Sequence, residues 1–318
     1  MDYTQAALDS IVSSFPVRRT AKQRAAFRDW LLRELSELGW DAEVIKGGRW
    51  FRSENVVTRN CNPEVILIAH YDTGGQLPFG YTAFCRLLGH GLWVGVLAGF
   101  LLAMVSSFIW ERLTSKVLAS PLPGSLELLF DLSLILVLCL PTFFSNKHNH
   151  NDNTSGILVL LGLAHALNDE PALKHKVQLA FVDLEERGLW GSRRLQRSWR
   201  EQGIDLARAT IINFDCVGCG STPVVSYVGS RERSEAIYQH LRASRDDAVM
   251  VAGLMSDHYS FRREGATGVL FANPARYGRG FEVPNVHSPR DCRINLDNVV
   301  WLVNELVRFC RRAAVTRP

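Results

Sequence analysis

The sequence lacks a strong charge of either sign. Its 36 Lys and Arg residues are nearly balanced by 32 Asp and Glu residues, which leaves a formal net charge of +4. The basic side chains are dispersed along the chain and form no cluster. Because nucleic-acid binding depends on concentrated positive charge, we expect no nucleic-acid partner.

The sequence also lacks the cysteine pattern of a disulfide framework. Its seven cysteines are odd in number and scattered through 318 residues, as is typical of proteins in a reducing compartment. Cys216 and Cys219 form a C-x-x-C pair, and without a second pair we favour no redox or metal role for it. The first ten residues contain early acidic side chains and no apolar segment, so we expect no signal peptide.

What the sequence does contain is two long apolar runs. Residues 88–110 include no acidic or basic side chain except His90. At about 1.5 Å per residue, a helix of this length spans the ~30 Å hydrocarbon core of a bilayer. We therefore interpret the run as a transmembrane helix rather than a buried core helix.

The second run, residues 126–144, is weaker because it contains Glu127 and Asp131. A carboxylate inside the hydrocarbon is costly and is usually paired or functional. We favour a tilted helix whose first turn lies in the interface, which leaves only Asp131 near the lipid.

Outside these runs, helical and strand patterns alternate. Residues 20–38 are amphipathic, with Thr20 and Gln23 at capping-box spacing. Residues 64–69 form a fully apolar strand of the kind that is buried inside a sheet. Because further strands and helices alternate up to residue 312, the sequence predicts an α/β fold with a mixed, mostly parallel central sheet flanked by helices.

Acidic and imidazole side chains stand where these predicted strands end or a helix begins. In an α/β sheet the ligand crevice lies outside the carboxyl ends of the strands, so we expect these side chains to meet there. The candidates are His70, Asp72, Asp152, Glu185, Glu186, Asp215, Asp257 and His287.

These residue types fit a hydrolytic zinc site. Two metals ~3.5–4 Å apart need a ligand that bridges them, and a carboxylate has two oxygens for this purpose. Hydrolysis also needs a carboxylate that binds no metal and accepts the proton of the attacking water. The adjacent Glu185 and Glu186 can supply one ligand and one base, and Asp72 can accept the second N–H of His70.

Six ordered motifs resemble the di-zinc aminopeptidase family, the group that includes glutamate carboxypeptidase and the glutaminyl cyclases. The resemblance covers residues 15–85 and 145–312. The motifs are "AHYDT", "NDNTSG", "DLEERGLWGS", "INFDCVG", "SDHYSF" and "VHSPRD".

The resemblance implies two Zn²⁺ ions that share Asp152 as a bridging ligand. The first zinc would be bound by His70, Asp152 and Asp215. The second would be bound by Asp152, Glu186 and His287.

The resemblance also implies roles for three acidic residues that bind no metal. Glu185 would be the general base, and Asp72 would orient His70. Asp257 would support the site near the substrate amine or behind the metal ligands.

The sequence departs from the family between Asp72 and Asp152, where both apolar runs are inserted. Because His70 and Asp152 must meet at one metal pair, the chain must cross the membrane an even number of times. We therefore predict one catalytic domain in two parts, residues 1–87 and 146–318. They would be separated by a transmembrane helical hairpin over residues 88–145.

The flanking basic residues do not decide which side of the membrane the enzyme faces. Free thiols and the missing signal peptide favour a cytoplasmic catalytic domain. The hairpin would contact the lipid bilayer through residues 88–144, and it could also support a homo-oligomer.

The predicted function is a membrane-anchored zinc exopeptidase, first of all an aminopeptidase, which hydrolyses peptides with a water activated by two zinc ions. One alternative is a glutaminyl-cyclase-like aminoacyltransferase with a single zinc, and His70 and Asp215 argue against it because one zinc needs neither. The other alternative is a non-catalytic scaffold, which the complete ligand set disfavours. The sequence identifies no specificity pocket and does not separate amino- from carboxy- or dipeptidases.

Overall fold

The computed structural model describes residues 2–48, 52–60, 62–76, 112, 144–275 and 280–315. The chain divides into two units. The larger unit comprises Met1–Gly74, Asn146–Asn273 and Val283–Pro318, and the smaller one comprises Gly75–Ser145 and Pro274–Glu282. All eight candidate site residues belong to the larger unit.

The larger unit is built on a mixed β-sheet with the strand order β1-β2-β4-β3-β5-β8-β6-β7. Strands β4, β3, β5 and β8 pair in parallel, whereas β1, β2 and β4 pair antiparallel, as do β8 and β6. The strands are β1 (Ala42–Gly47), β2 (Ser53–Thr58), β3 (Val65–His70), β4 (Val177–Val182), β5 (Thr210–Phe214), β6 (Thr222–Tyr227), β7 (Val249–Ala252) and β8 (Thr267–Pro274). A two-residue strand, β9 (Phe281–Glu282), lies in the smaller unit.

Helices surround this sheet. They are α1 (Asp2–Ser14), α2 (Ala21–Glu37), α3 (Gly156–Ala166), α4 (Pro171–Lys174), α5 (Trp190–Glu201), α6 (Arg231–Ser244) and α7 (Leu296–Val315). A π-helical turn (His150–Ser155) leads into α3, and a 3-10 helix (Asp257–Glu264) precedes β8. The predicted capping box is confirmed at α2, where Thr20 Oγ1 accepts the Gln23 N–H and Gln23 Oε1 accepts the Thr20 N–H.

Strand β3 has apolar side chains on both faces of the sheet, so both faces must be packed against other apolar residues. Its side chains are buried in alternation in two apolar clusters, with Leu67 in one and Ile66 and Ile68 in the other. Helices α2, α3 and α7 contribute to the first cluster, and α5 contributes Trp199 to the second. The continuous apolar run therefore correctly predicted a central strand, and the mixed α/β fold class is confirmed.

The predicted transmembrane hairpin over residues 88–145 lies outside the described residues, apart from Arg112, Phe144 and Ser145. Among the helices that the structure describes, none is long and apolar enough to cross a bilayer. The predicted boundaries at residues 87 and 146 stay predictions.

The topology places the site at one edge of the sheet. Strands β3, β4 and β5 are parallel neighbours, so their carboxyl ends lie at the same edge. His70 is the last residue of β3, Glu185 follows β4, and Asp215 follows β5. This edge is where parallel α/β sheets bind ligands.

Candidate metal centre

Five side chains at this edge form two groups of metal-ligating atoms. His70, Asp152 and Asp215 form the first group, and Asp152, Glu186 and His287 form the second. Within each group the ligand atoms all lie within 4.8 Å of one another. The structure thus brings together all five predicted metal ligands, including residues from both sides of the insertion.

Asp152 belongs to both groups and faces each with a different oxygen. Its Oδ1 lies 3.3 Å from His70 Nε2, and its Oδ2 lies 3.5 Å from His287 Nε2. His70 Nε2 is 3.7 Å from Asp215 Oδ1, and His287 Nε2 is 3.5 Å from Glu186 Oε2. This is the arrangement that a carboxylate needs in order to bridge two metal ions.

Several oxygens in these groups are buried without a protein donor. Among the described residues, Glu186 Oε1 and Asp215 Oδ1 have no hydrogen-bond partner. Burial of a carboxylate oxygen without a hydrogen-bond partner is energetically unfavourable. A bound cation would stabilise these two atoms. Imidazole nitrogen and carboxylate oxygen are ligands that suit zinc, so the residues present fit a zinc pair.

Gly74 keeps this space open. A Cβ atom at this position would lie 2.5 Å from His287 Nδ1 and 2.7 Å from Glu186 Oε1. Any larger residue would therefore push two candidate ligands out of place.

The electrostatics of the edge also favour a bound cation. Burial raises the pKa of Glu185 and of Glu186 well above the ordinary value, and neighbouring carboxylates raise them further. Burial lowers the pKa of His70, but the nearby carboxylates of Asp152, Asp215 and Asp72 outweigh this effect and raise that pKa well above its usual range. Positive charge between these groups would stabilise the ionised carboxylates.

Asp72 makes contacts that differ from the predicted one. The His70 Nδ1 atom lies 3.2 Å from the Asp72 main-chain oxygen and 3.6 Å from its carboxylate Oδ1. The Asp72 carboxylate instead accepts the main-chain N–H groups of Glu185, at 3.0 Å, and Glu186, at 3.3 Å. Asp72 thus connects the end of β3 by hydrogen bonds to Glu185 and Glu186, which follow β4. Its predicted role in orienting His70 stays a prediction.

Asp257 lies next to the site at the start of the 3-10 helix and is fully buried. Burial raises the pKa of its carboxyl group to about 7. The preceding residue, Ser256, donates a 2.6 Å hydrogen bond from its hydroxyl group to Asp215 Oδ2. The supporting role of Asp257 stays a prediction.

The backbone is strained around the site. Leu184, Cys216 and His287 have φ angles of 56°, 58° and 54°, in the left-handed region that residues with a Cβ seldom adopt. Leu184 precedes the candidate base Glu185, Cys216 follows the candidate ligand Asp215, and His287 is itself a candidate ligand. Such strain persists only where surrounding contacts hold it, and it concentrates at functional sites.

Sequence reasoning missed Asp291, which holds the Asp152 segment. Its carboxylate accepts the main-chain N–H of Asn151 at 2.8 Å and that of Asp152 at 3.1 Å. Asp291 is the last residue of the "VHSPRD" motif, so an acid four positions after His287 was the available signal. Burial raises the pKa of this carboxyl group to about 7.

The cysteine pair makes no disulfide in the described structure. Cys216 is a buried free thiol, and Cys219 is a partly buried one that donates to the Arg293 main-chain oxygen at 2.9 Å. Neither residue belongs to the two metal-ligating groups.

Replacing Asp291 with alanine should weaken zinc binding. The substitution removes the acceptor for the Asn151 and Asp152 amides, so the bridging carboxylate loses its support. Loss of such a supporting contact typically costs 10–100-fold in metal affinity, and we expect a change of about that size in a chelator competition titration. The exposed Asp246→Ala control should bind zinc like the wild type, and equal affinities for all three proteins would refute the assigned role.

Comparisons with known proteins agree with this geometry. Residues 145–302 match the model of peptidase family M28. This segment includes every candidate site residue except His70 and Asp72. No curated protein sequence matches the chain.

Solved structures share the fold over nearly the whole chain. The aminopeptidase LapA of Legionella pneumophila is 16% identical, with a TM-score of 0.61 over 100% of this chain and 70% of that one. A glutaminyl cyclase of Porphyromonas gingivalis is 16% identical, with a TM-score of 0.64 over 98% of this chain and 97% of that one. A Zn-dependent exopeptidase from Parabacteroides distasonis is 14% identical, with a TM-score of 0.62 over 99% of this chain and 98% of that one.

At these identities the structural likeness concerns the fold. Both an aminopeptidase and a glutaminyl cyclase share it, so the fold by itself does not choose between hydrolysis and cyclisation. Residues 145–302 thus match peptidase family M28, and the chain shares the fold of the aminopeptidase and of the Zn-dependent exopeptidase.

Proposed function

We propose that the protein is a zinc-dependent aminopeptidase that uses two zinc ions. The position of Asp152 is the observation that carries this proposal, because its two oxygens face His70 at 3.3 Å and His287 at 3.5 Å. A site for one zinc would need neither His70 nor Asp215. Their presence beside Asp152 therefore favours the two-zinc reaction over the single-zinc cyclase.

Zinc ions at these groups would polarise the scissile carbonyl and acidify the attacking water. Glu185 would accept the proton from that water and deliver it to the leaving amine. Burial raises its pKa, and a more basic carboxylate accepts a proton more readily. The Asp72 carboxylate would hold Glu185 and Glu186 in register through their main-chain N–H groups.

A cavity beside Asp215 supplies a place for the substrate side chain. Its volume is about 160 Å³, and none of its lining residues among those described is acidic or basic except Asp215 and the histidine His258. Its walls are largely apolar, with Leu254, Met255 and Leu270 among them. We infer that it receives an uncharged apolar side chain of medium size.

The acidic residues beside the metal-ligating groups support an aminopeptidase. The charges of Glu185 and Asp257 interact with each other and with His70 and Asp215. Their negative charge would attract the terminal ammonium group of a peptide substrate.

We also propose that residues 88–145 anchor the enzyme to a membrane, with the catalytic domain on the cytoplasmic side. The apolar runs in the sequence support this proposal. The full chain should stay in the membrane pellet after alkaline extraction, and a variant with a Gly-Ser linker in place of 88–145 should be released. Release of the full chain from the membrane would refute the membrane anchor and would leave the proposed enzymatic function unaffected.

Glu185→Gln should abolish turnover while zinc remains bound. The amide keeps the size of the side chain but cannot accept the proton, and loss of a general base costs at least about 100-fold. Hydrolysis of a leucyl fluorogenic substrate and zinc content by mass spectrometry measure the two effects. The exposed control Glu201→Gln should behave as wild type, and a zinc-loaded, active Glu185→Gln enzyme would contradict the mechanism.

Leu270→Phe should change substrate preference by filling the cavity. We expect kcat/KM for leucyl substrates to fall about 10-fold relative to alanyl substrates, because changes of a methylene or more in an apolar pocket discriminate by that order. The same substitution at Leu32, on α2, should leave the ratio unchanged. An unaltered ratio in Leu270→Phe would exclude this cavity as the side-chain site.

A single zinc per chain, together with cyclisation of peptides that begin with glutamine, would favour the cyclase reaction instead. Metal analysis and a substrate panel that includes such peptides separate these two functions.

A further inference from the structure

A buried arginine lies behind the candidate metal centre. Arg18 is fully buried in the short connection between α1 and α2, and it lies outside the sequence motifs named above. Burial lowers the pKa of its guanidinium to about 10, which still leaves the group charged at neutral pH. A buried charge is costly unless it is paired and hydrogen-bonded, so its contacts need an explanation.

The Arg18 guanidinium joins two segments that carry candidate ligands. Its Nε donates a 2.5 Å hydrogen bond to the main-chain oxygen of Tyr71, and its Nη2 donates a 3.1 Å hydrogen bond to Thr154 Oγ1. Tyr71 lies between His70 and Asp72, and Thr154 lies two residues after Asp152. A single planar side chain therefore spans the end of β3 and the π-helical turn.

The main chain around Arg18 strengthens the same connection. The Arg18 N–H donates to Thr73 Oγ1 at 3.0 Å, and the Thr73 N–H donates to the Arg18 oxygen at 3.3 Å. On the other side, the Asn149 side chain donates to the Pro16 oxygen at 3.0 Å. The segment from Pro16 to Arg18 is thus hydrogen-bonded to both ligand-bearing segments.

This connection bears directly on how His70 and Asp152 meet. The two residues are far apart in sequence, and the whole insertion lies between them, so the intervening chain gives their segments no short covalent link. A longer loop makes the ordering of its two ends entropically more costly. The rigid guanidinium fork can offset that cost because its geometry is preorganised for several hydrogen bonds.

The positive charge of Arg18 also helps to hold the His70 and Asp152 segments together. Asp72 and Asp152 are the carboxylates whose charges interact with the guanidinium. Its three side-chain hydrogen bonds go to Tyr71, Thr154 and the Phe15 main-chain oxygen. Arg18 therefore reduces repulsion among the site acids without being one of the metal-ligating residues.

We propose that Arg18 is a positioning residue that holds the His70 and Asp152 segments at the separation needed to share a zinc ion. This inference rests on the proposed two-zinc function. A purely structural arginine would affect only the stability of the fold, whereas a positioning residue must also affect the zinc affinity of the folded protein.

The test compares zinc affinity in four full-length variants purified in detergent. Arg18→Met removes both the fork and the charge, and Arg18→Lys keeps the charge alone. Thr154→Val removes the hydroxyl group that accepts from Arg18 and that also donates to the Asn149 main-chain oxygen at 2.7 Å. Arg194→Met is the matched control, since Arg194 is a partly buried arginine on α5 that donates to the Gly47 main-chain oxygen and to Ser53 Oγ. Zinc dissociation constants come from competition with a chromophoric chelator, and circular dichroism of the zinc-free proteins reports folding.

We expect Arg18→Met to weaken zinc binding about 10–100-fold, the range for loss of a contact that supports a metal ligand. Arg18→Lys and Thr154→Val should lie between this variant and the wild type, and Arg194→Met should match the wild type. If Arg18→Met does not fold, weaker zinc binding by Arg18→Lys still supports the inference, and wild-type affinity in Arg18→Lys then overturns it.

Folded Arg18 variants that bind zinc like the wild type would overturn the positioning role while the two-zinc function stands. A wild-type protein that binds no zinc would overturn both. Zinc binding by the wild type, measured without any substrate, therefore distinguishes the two failures.

Discussion

The structure depends on one constraint, which is that several carboxylates share a buried space at the carboxyl edge of the sheet. Asp152 is at the centre of that space, with one oxygen facing His70 and the other facing His287. Burying carboxylates is unfavourable unless positive charge accompanies them. The buried, unpartnered oxygens of Glu186 and Asp215 show where that charge is needed, and the proposed pair of divalent cations would satisfy all of these groups together.

The surrounding structure holds the carboxylates in place against their repulsion. Asp291 accepts the amides of Asn151 and Asp152, and Asp72 accepts those of Glu185 and Glu186. Arg18 joins the end of β3 to the turn that carries Asp152. These contacts go to main-chain groups and to the Thr154 hydroxyl group rather than to a ligand atom, so the ligand atoms themselves remain available to metal.

The fold class and the strand-end positions of the candidate residues follow from local sequence patterns, whereas the roles of those residues were implied only by the family resemblance. An apolar run that ends in a polar residue indicates a strand end, and parallel strands bring such ends together. Asp291 and Arg18 could not be predicted in this way because their partners lie in distant segments of the chain. These partners are main-chain groups and, for Arg18, also the Thr154 hydroxyl group, and they leave no periodic signal. The apolar cavity beside Asp215 could not be predicted either, because residues from separate segments, such as Leu254 and Leu270, form its wall.

The most direct test of the account is a crystal structure of the zinc-loaded protein with anomalous diffraction recorded at the zinc edge. We expect two anomalous peaks, from zinc ions ~3.5–4 Å apart, with one oxygen of Asp152 bound to each ion. His70 and Asp215 would complete one site, and Glu186 and His287 would complete the other. A single peak, or zinc bound away from Asp152, would contradict the account.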